Sequence, residues 1–216
     1  MNFRSAIFSI LLAISLSSFA QRELPFKEIE FQHPGLSGFH RGEKFEYFLI
    51  RRKILPGLSP AQEASAIQDW SKQHPAASAL PVSVLGEKSQ LPMVYVWAVD
   101  GDDILNVYLV RNGLHPAIGM LDTTNFGRIL QASSNAPFIK RAVQVERAGN
   151  PTGVESRRLI PKTRYDAFVR ELIAAETLAA RESLGIWSDD FKKIREQIGL
   201  VPLSALLVPI DEFETD

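Results

Sequence analysis

The sequence predicts an α+β domain, mainly a small β-barrel with helices packed outside it. Three observations point there. The segment PMVYVWAV (92–99) sets Met93, Tyr95, Trp97 and Val99 on one face and Val94, Val96 and Ala98 on the other. Such a strand is apolar on both sides, as in a barrel covered by helices. Tyr165, Phe168, Val169, Leu172, Ile173 and Leu184 then follow a helical stripe running to Gly185. No cysteine stands among the 216 residues, so disulfides, thiolate metal sites and cysteine nucleophiles are excluded together and the core alone must hold the domain.

The chain opens MNFRSAIFSILLAISLSSFA, in which Arg4 precedes an apolar run from Ala6 to Leu16 and Ser18-Phe19-Ala20 forms a small-x-small site. This reads as a secretory signal cleaved after Ala20. The apolar run is shorter than the roughly 20 residues a spanning helix needs. Residues 21–198 are then one domain, 199–216 a tail that is first apolar and then acidic, and no transmembrane segment remains after cleavage. Export without disulfides suits a bacterial periplasm or exterior. A net charge of −1 gives no global argument for nucleic acid.

Along the domain, LPFKEIEF (24–31) and EKFEYFLIRRKIL (43–55) read as strands. SPAQEASAIQDWSKQH is a helix with Ser59 as N-cap and Pro60 at its first position, ending near His74-Pro75. LPVSVLG (80–86) and PMVYVWAV are two further strands. In DGDDILNVYLVRNGL (100–114) the aspartates resemble a metal site at first sight. Asp100-Gly101 after an apolar strand is a tight-turn signal, and Ile104 and Leu105 break the alternation a calcium loop requires. The aspartates are therefore turn residues, Asn106 is the expected N-cap of a short helix with Leu109 and Val110 inward, and Gly113 follows its end. Residues 121–160 form an irregular insert in which FIKRAVQV has strand character. Thr163-x-x-Asp166 resembles a capping box opening the long helix. Ile186 and Trp187 fold back on its last turn. A final helix sets Phe191, Ile194 and Ile198 on one side and stops at Gly199.

EASAIQDW, then YVWAVDGDDILNVYLVRNGL, then AAETLAARESLGIWSDD resemble in order and wording the staphylococcal nuclease-like (thermonuclease) domain, over roughly Glu63 to Ser188. Gly101, Asn106, Leu109, Val110, Arg111, Gly113, Leu114, Glu176, Ala180, Gly185, Ile186 and Trp187 stand at matching positions, with one extra residue between the DG turn and Asn106. The resemblance implies a five-stranded OB-type barrel with about three packed helices. It does not carry the chemistry of the family's active members, in which two aspartates help bind calcium, a glutamate is the proposed general base and two arginines stabilise the phosphoryl transition state.

Those chemical groups are missing from the matching motifs. No D-G-D-T occurs between Leu24 and Gly42, Ile54 or Leu55 takes the aspartate position, Gly57 the glutamate position, and Leu91 or Pro92 an arginine position. No catalytic residue is therefore assigned, and no cofactor, calcium entering only if an active nuclease is retained. Arg51, Arg52 and Lys53 lie near the place of one catalytic arginine and are the candidate phosphate contact, against the simpler reading of a charged strand end. Arg111 and Glu176 are expected to form an ion pair between two helices. His33, His40, His74 and His115 show no metal-ligand spacing, and GLSGF lacks the context of a nucleophile elbow.

Three functions follow. The favoured one is an exported, catalytically degenerate module that binds nucleic acid or a protein partner, with Arg141, Arg147, Arg157, Arg158 and Arg164 as a basic stripe if they share a face. The second is an active metal-dependent nuclease whose carboxylates come from Glu43, Glu46 or Asp100 to Asp103, converging on one cleft. The third is an envelope structural or assembly protein using its apolar tail.

Overall fold

A computed structural model describes residues 22–33, 37–40, 45–50, 60–85, 93–121 and 156–206. The expected signal segment, Arg51, Arg52, Lys53, the substituted positions 54, 55, 57, 91 and 92, nearly all of the insert and the acidic tail lie outside these residues. Eight strands are described: β1 (Leu24–Pro25), β2 (Glu30–His33), β3 (Ser37–Phe39), β4 (Glu46–Phe48), β5 (Ser78–Leu85), β6 (Met93–Asp100), β7 (Asp103–Ile104) and β8 (Ser156–Arg158). Four helices accompany them among the described residues: α1 (Pro60–Gln73), α2 (Leu105–Arg111), α3 (Lys162–Arg181) and α4 (Lys192–Ile198). The fold is thus α+β, with one curled mixed sheet forming a half-barrel.

Sheet order is β1-β5-β6-β4-β3-β2, with β7 added to β6 and β8 to β5. All neighbours are antiparallel except β4 and β6, which run parallel because α1 and β5 intervene between them in the chain. β6 is central and buried on both faces, as its sequence implies. On one face Trp97 stacks on Phe168 of α3, ring centroids 3.9 Å apart, and Tyr95 stacks on Phe48 at 5.6 Å. On the other, Val94, Val96 and Ala98 are fully enclosed. Aromatic pairs of this kind add to the burial of large apolar surfaces.

Several predicted boundaries shift. The segment 24–31 is broken by a 3-10 turn at Phe26–Glu28, because Phe26 and Ile29 both face the core and a spacing of three cannot be met by a strand. In the described part of 43–55 the ladder covers only 46–48; Leu49 and Ile50 leave it yet stay buried. The long helix closes at Arg181 rather than Gly185, with Ser183 at φ 54 and Leu184 N–H donating to Ala179 O. No side chain caps it: Asp166 pairs with Lys162 at 2.8 Å instead of closing a box with Thr163. The helix 60–73, the DG turn, the short helix ending before Gly113 and the stop at Gly199 (φ 67) agree with the sequence reading.

The apolar start of the tail docks as core, with Leu200, Leu203 and Leu206 buried. No described helix is long and apolar enough to cross a membrane.

Gly113 (φ +64) and Gly185 (φ +50) press their backbones together, and Ile186 N–H donates to Gly113 O at 2.8 Å. A Cβ on Gly113 would sit 2.2 Å from Leu184 O, and one on Gly185 2.2 Å from Gly113 O. Gly101 (φ +61) has nothing within 4 Å of its Cβ position. Gly101→Ala is expected to cost about 1–2 kcal/mol from backbone strain alone. Gly113→Ala or Gly185→Ala should cost several kcal/mol more, because backbone atoms must also separate. Urea unfolding of the three variants compares them; equal losses would contradict the crossing.

Candidate functional site

The matching polar positions are organised as structural nodes. Asn106 is not an N-cap: α2 begins at Leu105, Ile104 occupies the cap, and the Asn106 side chain is fully buried. Its Nδ2 donates to Leu49 O at 2.8 Å and to Val96 O at 3.5 Å, while its Oδ1 accepts from Ala98 N–H at 3.3 Å. One amide therefore satisfies the backbone that β4 leaves open where its ladder stops, and ties it to β6.

Glu176 does not pair with Arg111. Arg111 is exposed, whereas Glu176 is 1% exposed and spends its oxygens on backbone donors. Ala117 N–H reaches Oε1 at 2.8 Å and Leu203 N–H reaches Oε2 at 2.5 Å. Burial pushes this carboxyl up to about 7, against the lowering effect of the two amide donors.

The segment after α2 is held from a second side. His115 Nε2 lies 2.7 Å from Glu63 Oε1, both side chains almost wholly buried. Tyr95 Oη donates to Met120 O at 2.6 Å. Residues 115–121 are thus fastened by α1, α3 and β6 together. The His115–Glu63 pairing escapes sequence reading, and so do those of His74 with Asp100 and His40 with Glu28, at 3.2 and 3.1 Å. Spacing between histidines carries no trace of them; Glu63 on the inward stripe of α1, beside Ile67 and Trp70, is the available signal.

The aspartate-rich turn is a hairpin between β6 and β7, with Asp100 opposite Asp103 and Gly101 leading the tight turn. Glu171 of α3 faces it and its carboxyl is raised, first by desolvation and then by the Asp102 charge. Among the described residues no group of three or more acidic or histidine side chains is placed to hold a metal ion. Glu46 is opposite Met93, at the other end of β6 from Asp100. Seven strand steps place them roughly 23 Å apart, so the structure does not bring these proposed carboxylates together. Glu43 lies outside the described residues.

The basic residues fare differently. β8 forms an edge on β5, with Arg157 opposite Val84 and Arg158 opposite Ser83. The Arg158 guanidinium lies 4.5 Å from the centre of the Tyr165 ring in α3. That stacking sets β8 beside the start of α3, where Lys162 and Arg164 are exposed and no acidic residue occupies the first turn. Of the five arginines expected in a stripe, Arg157 and Arg158 are consecutive on β8 and so leave opposite faces of the strand, and Arg164 stands in the first turn of α3 next to the Tyr165 on which Arg158 stacks; Arg141 and Arg147 lie outside the described residues. Trp187, the last matching position, is buried beneath Arg195, whose guanidinium sits 5.7 Å from its ring centre and donates to Ile186 O and Ser188 O. Compared with known proteins, the chain matches no family model, no curated protein and no solved structure.

Asn106→Asp should destabilise the fold by about 2–4 kcal/mol, since two buried donors are removed and an unpaired charge is created; chemical denaturation measures it. In a double-mutant cycle, Arg111→Ala and Glu176→Ala should be additive within about 0.5 kcal/mol. A carboxyl whose value is raised on folding binds its proton more tightly in the folded state. Its contribution is complete below about 4.5 and is lost as pH rises towards about 7. Wild-type stability should carry this falling component, and Glu176→Gln should remove it.

Proposed function

We propose that this chain is an exported nuclease-like barrel, secreted or periplasmic, that acts by binding a polyanion, single-stranded nucleic acid in the first instance, rather than by hydrolysis. The observation that supports this reading is the basic edge itself. An edge strand carrying Arg157 and Arg158 meets the opening turn of a 20-residue helix bearing Arg164, with Lys162 beside it already paired to Asp166. Fixed cations of this kind attract phosphates through counterion release, whatever the base sequence. An aromatic ring under Arg158 holds one guanidinium in place at the start of α3. Arg51, Arg52 and Lys53 would extend the same electrostatic role if they share that side.

The chemistry of hydrolysis has less support. The nuclease motifs of the resemblance lack their acidic and basic members, and the polar positions that are shared, Asn106 and Glu176, hold backbone groups. Glu176 faces the tail and not solvent. An envelope assembly role through the tail finds Leu200, Leu203 and Leu206 already committed to the core, with Val201 exposed between them.

Fluorescence anisotropy of a labelled single-stranded oligonucleotide against residues 21–216 tests the proposal. The logarithm of the binding constant is expected to fall linearly with log salt concentration. The double reversal Arg157→Glu, Arg164→Glu should weaken it and flatten the slope by about 0.7 for each phosphate that is no longer neutralised. Binding unchanged by the reversals, or none at low salt, would remove the basic edge as the site.

A further inference from the structure

Leu200, Leu203 and Leu206 return to the body of the domain after α4 and lose nearly all their exposure. A short 3-10 turn, Leu203–Ala205, shapes the segment, and its first N–H is the one held by Glu176 Oε2. The same carboxyl holds Ala117 N–H through Oε1. It therefore links a segment from the middle of the chain to one near its end, in an apolar setting with no cation beside it among the described residues. Of the charged groups on the packed elements, His115 is engaged by Glu63 of α1, Arg195 of α4 is engaged by Ile186 O and Ser188 O, and Arg111 of α2 is exposed. Within α3 the residues one turn away, Leu172, Ile173, Ala179 and Ala180, are apolar, and Leu200 to Leu206 carries no charge.

We propose that residues Leu200–Leu206 form a pH-gated strap, latched over Glu176 while its carboxyl is protonated and loosened as it ionises. The physical reason is the difference in solvation between the two strap positions. With the strap docked, a carboxylate would be shut away from water and compensated only by two amide dipoles. With the strap lifted, water reaches the carboxylate, so ionisation favours the lifted state. The raised titration of Glu176 agrees with this geometry. Three buried leucines keep the docked state dominant, so the gate changes the frequency of opening and not the resting arrangement.

Amide hydrogen exchange on the full chain between pH 5 and pH 8, each rate divided by its intrinsic value, reads the strap directly. The Leu203 amide should be less protected than the β5 and β6 amides. Its exchange should be nearly independent of low urea, as for a local opening, and its protection should fall about tenfold or more across this range. Glu176→Gln should leave its protection flat with pH. Protection of Leu203 that rises with pH would mean that the ionised carboxylate is the better latch and would overturn the proposal. So would protection that stays level, or that shares the urea dependence of the strand amides. The wild-type measurement alone decides between these outcomes if the variant fails to fold.

Discussion

At the crossing of Gly113 and Gly185 two backbones meet where neither can carry a side chain, and a hydrogen bond from Ile186 N–H to Gly113 O joins them. The packing of both helices follows from this approach. It fixes the separation of α2 and α3, and that separation lets Phe168 and Tyr165 reach Trp97 on the central strand. It also sets the turn from which Ile186 and Trp187 return to the core. Around this point Asn106 serves the backbone where the ladder of β4 breaks, Glu176 holds the Ala117 and Leu203 amides, and His115 pairs with Glu63. Buried polar groups retain their cost unless every partner is supplied, which ties these residues to one arrangement of the chain.

That arrangement bears on function. A buried carboxyl engaged by two backbone amides, or a buried amide engaged by three backbone groups, is turned to the chain and away from any substrate. The polar positions shared with the nuclease-like pattern therefore belong to the architecture. The positions at which that pattern would carry chemistry hold Ile54 or Leu55, Gly57, and Leu91 or Pro92. At the β8 edge Arg157 is exposed and Arg158 lies against the Tyr165 ring, which is the arrangement the proposed polyanion binding uses.

Much of the fold is legible because it is written locally. The two apolar faces of β6, the opening of α1 at Pro60, the DG turn and the glycine stop of α4 each depend on a few adjacent residues. The departures share a different origin. Asn106 has the sequence context of a cap because caps are decided within a turn, yet its partner Leu49 is 57 residues away. Opposite charge, the simplest rule, pairs Glu176 with Arg111, whereas the partners of Glu176 are backbone groups 59 and 27 residues distant. No window of ordinary length contains such partners. The 3-10 turn at Phe26–Glu28 is hidden because apolar residues two and three apart occur together there, and burial chooses the spacing of three. The basic edge is half legible: its arginines are visible in the sequence, but only the stacking of Arg158 on Tyr165 shows that β8 lies beside the start of α3.

Whether the proposed binding without hydrolysis holds is decided by incubating purified residues 21–216 with single-stranded DNA and RNA, in calcium and in EDTA. Intact substrate is expected in both. Cleavage that requires calcium, follows the folded protein through purification and disappears on its denaturation would mean that the chemistry survives on other residues and that binding is not the end of this protein's function.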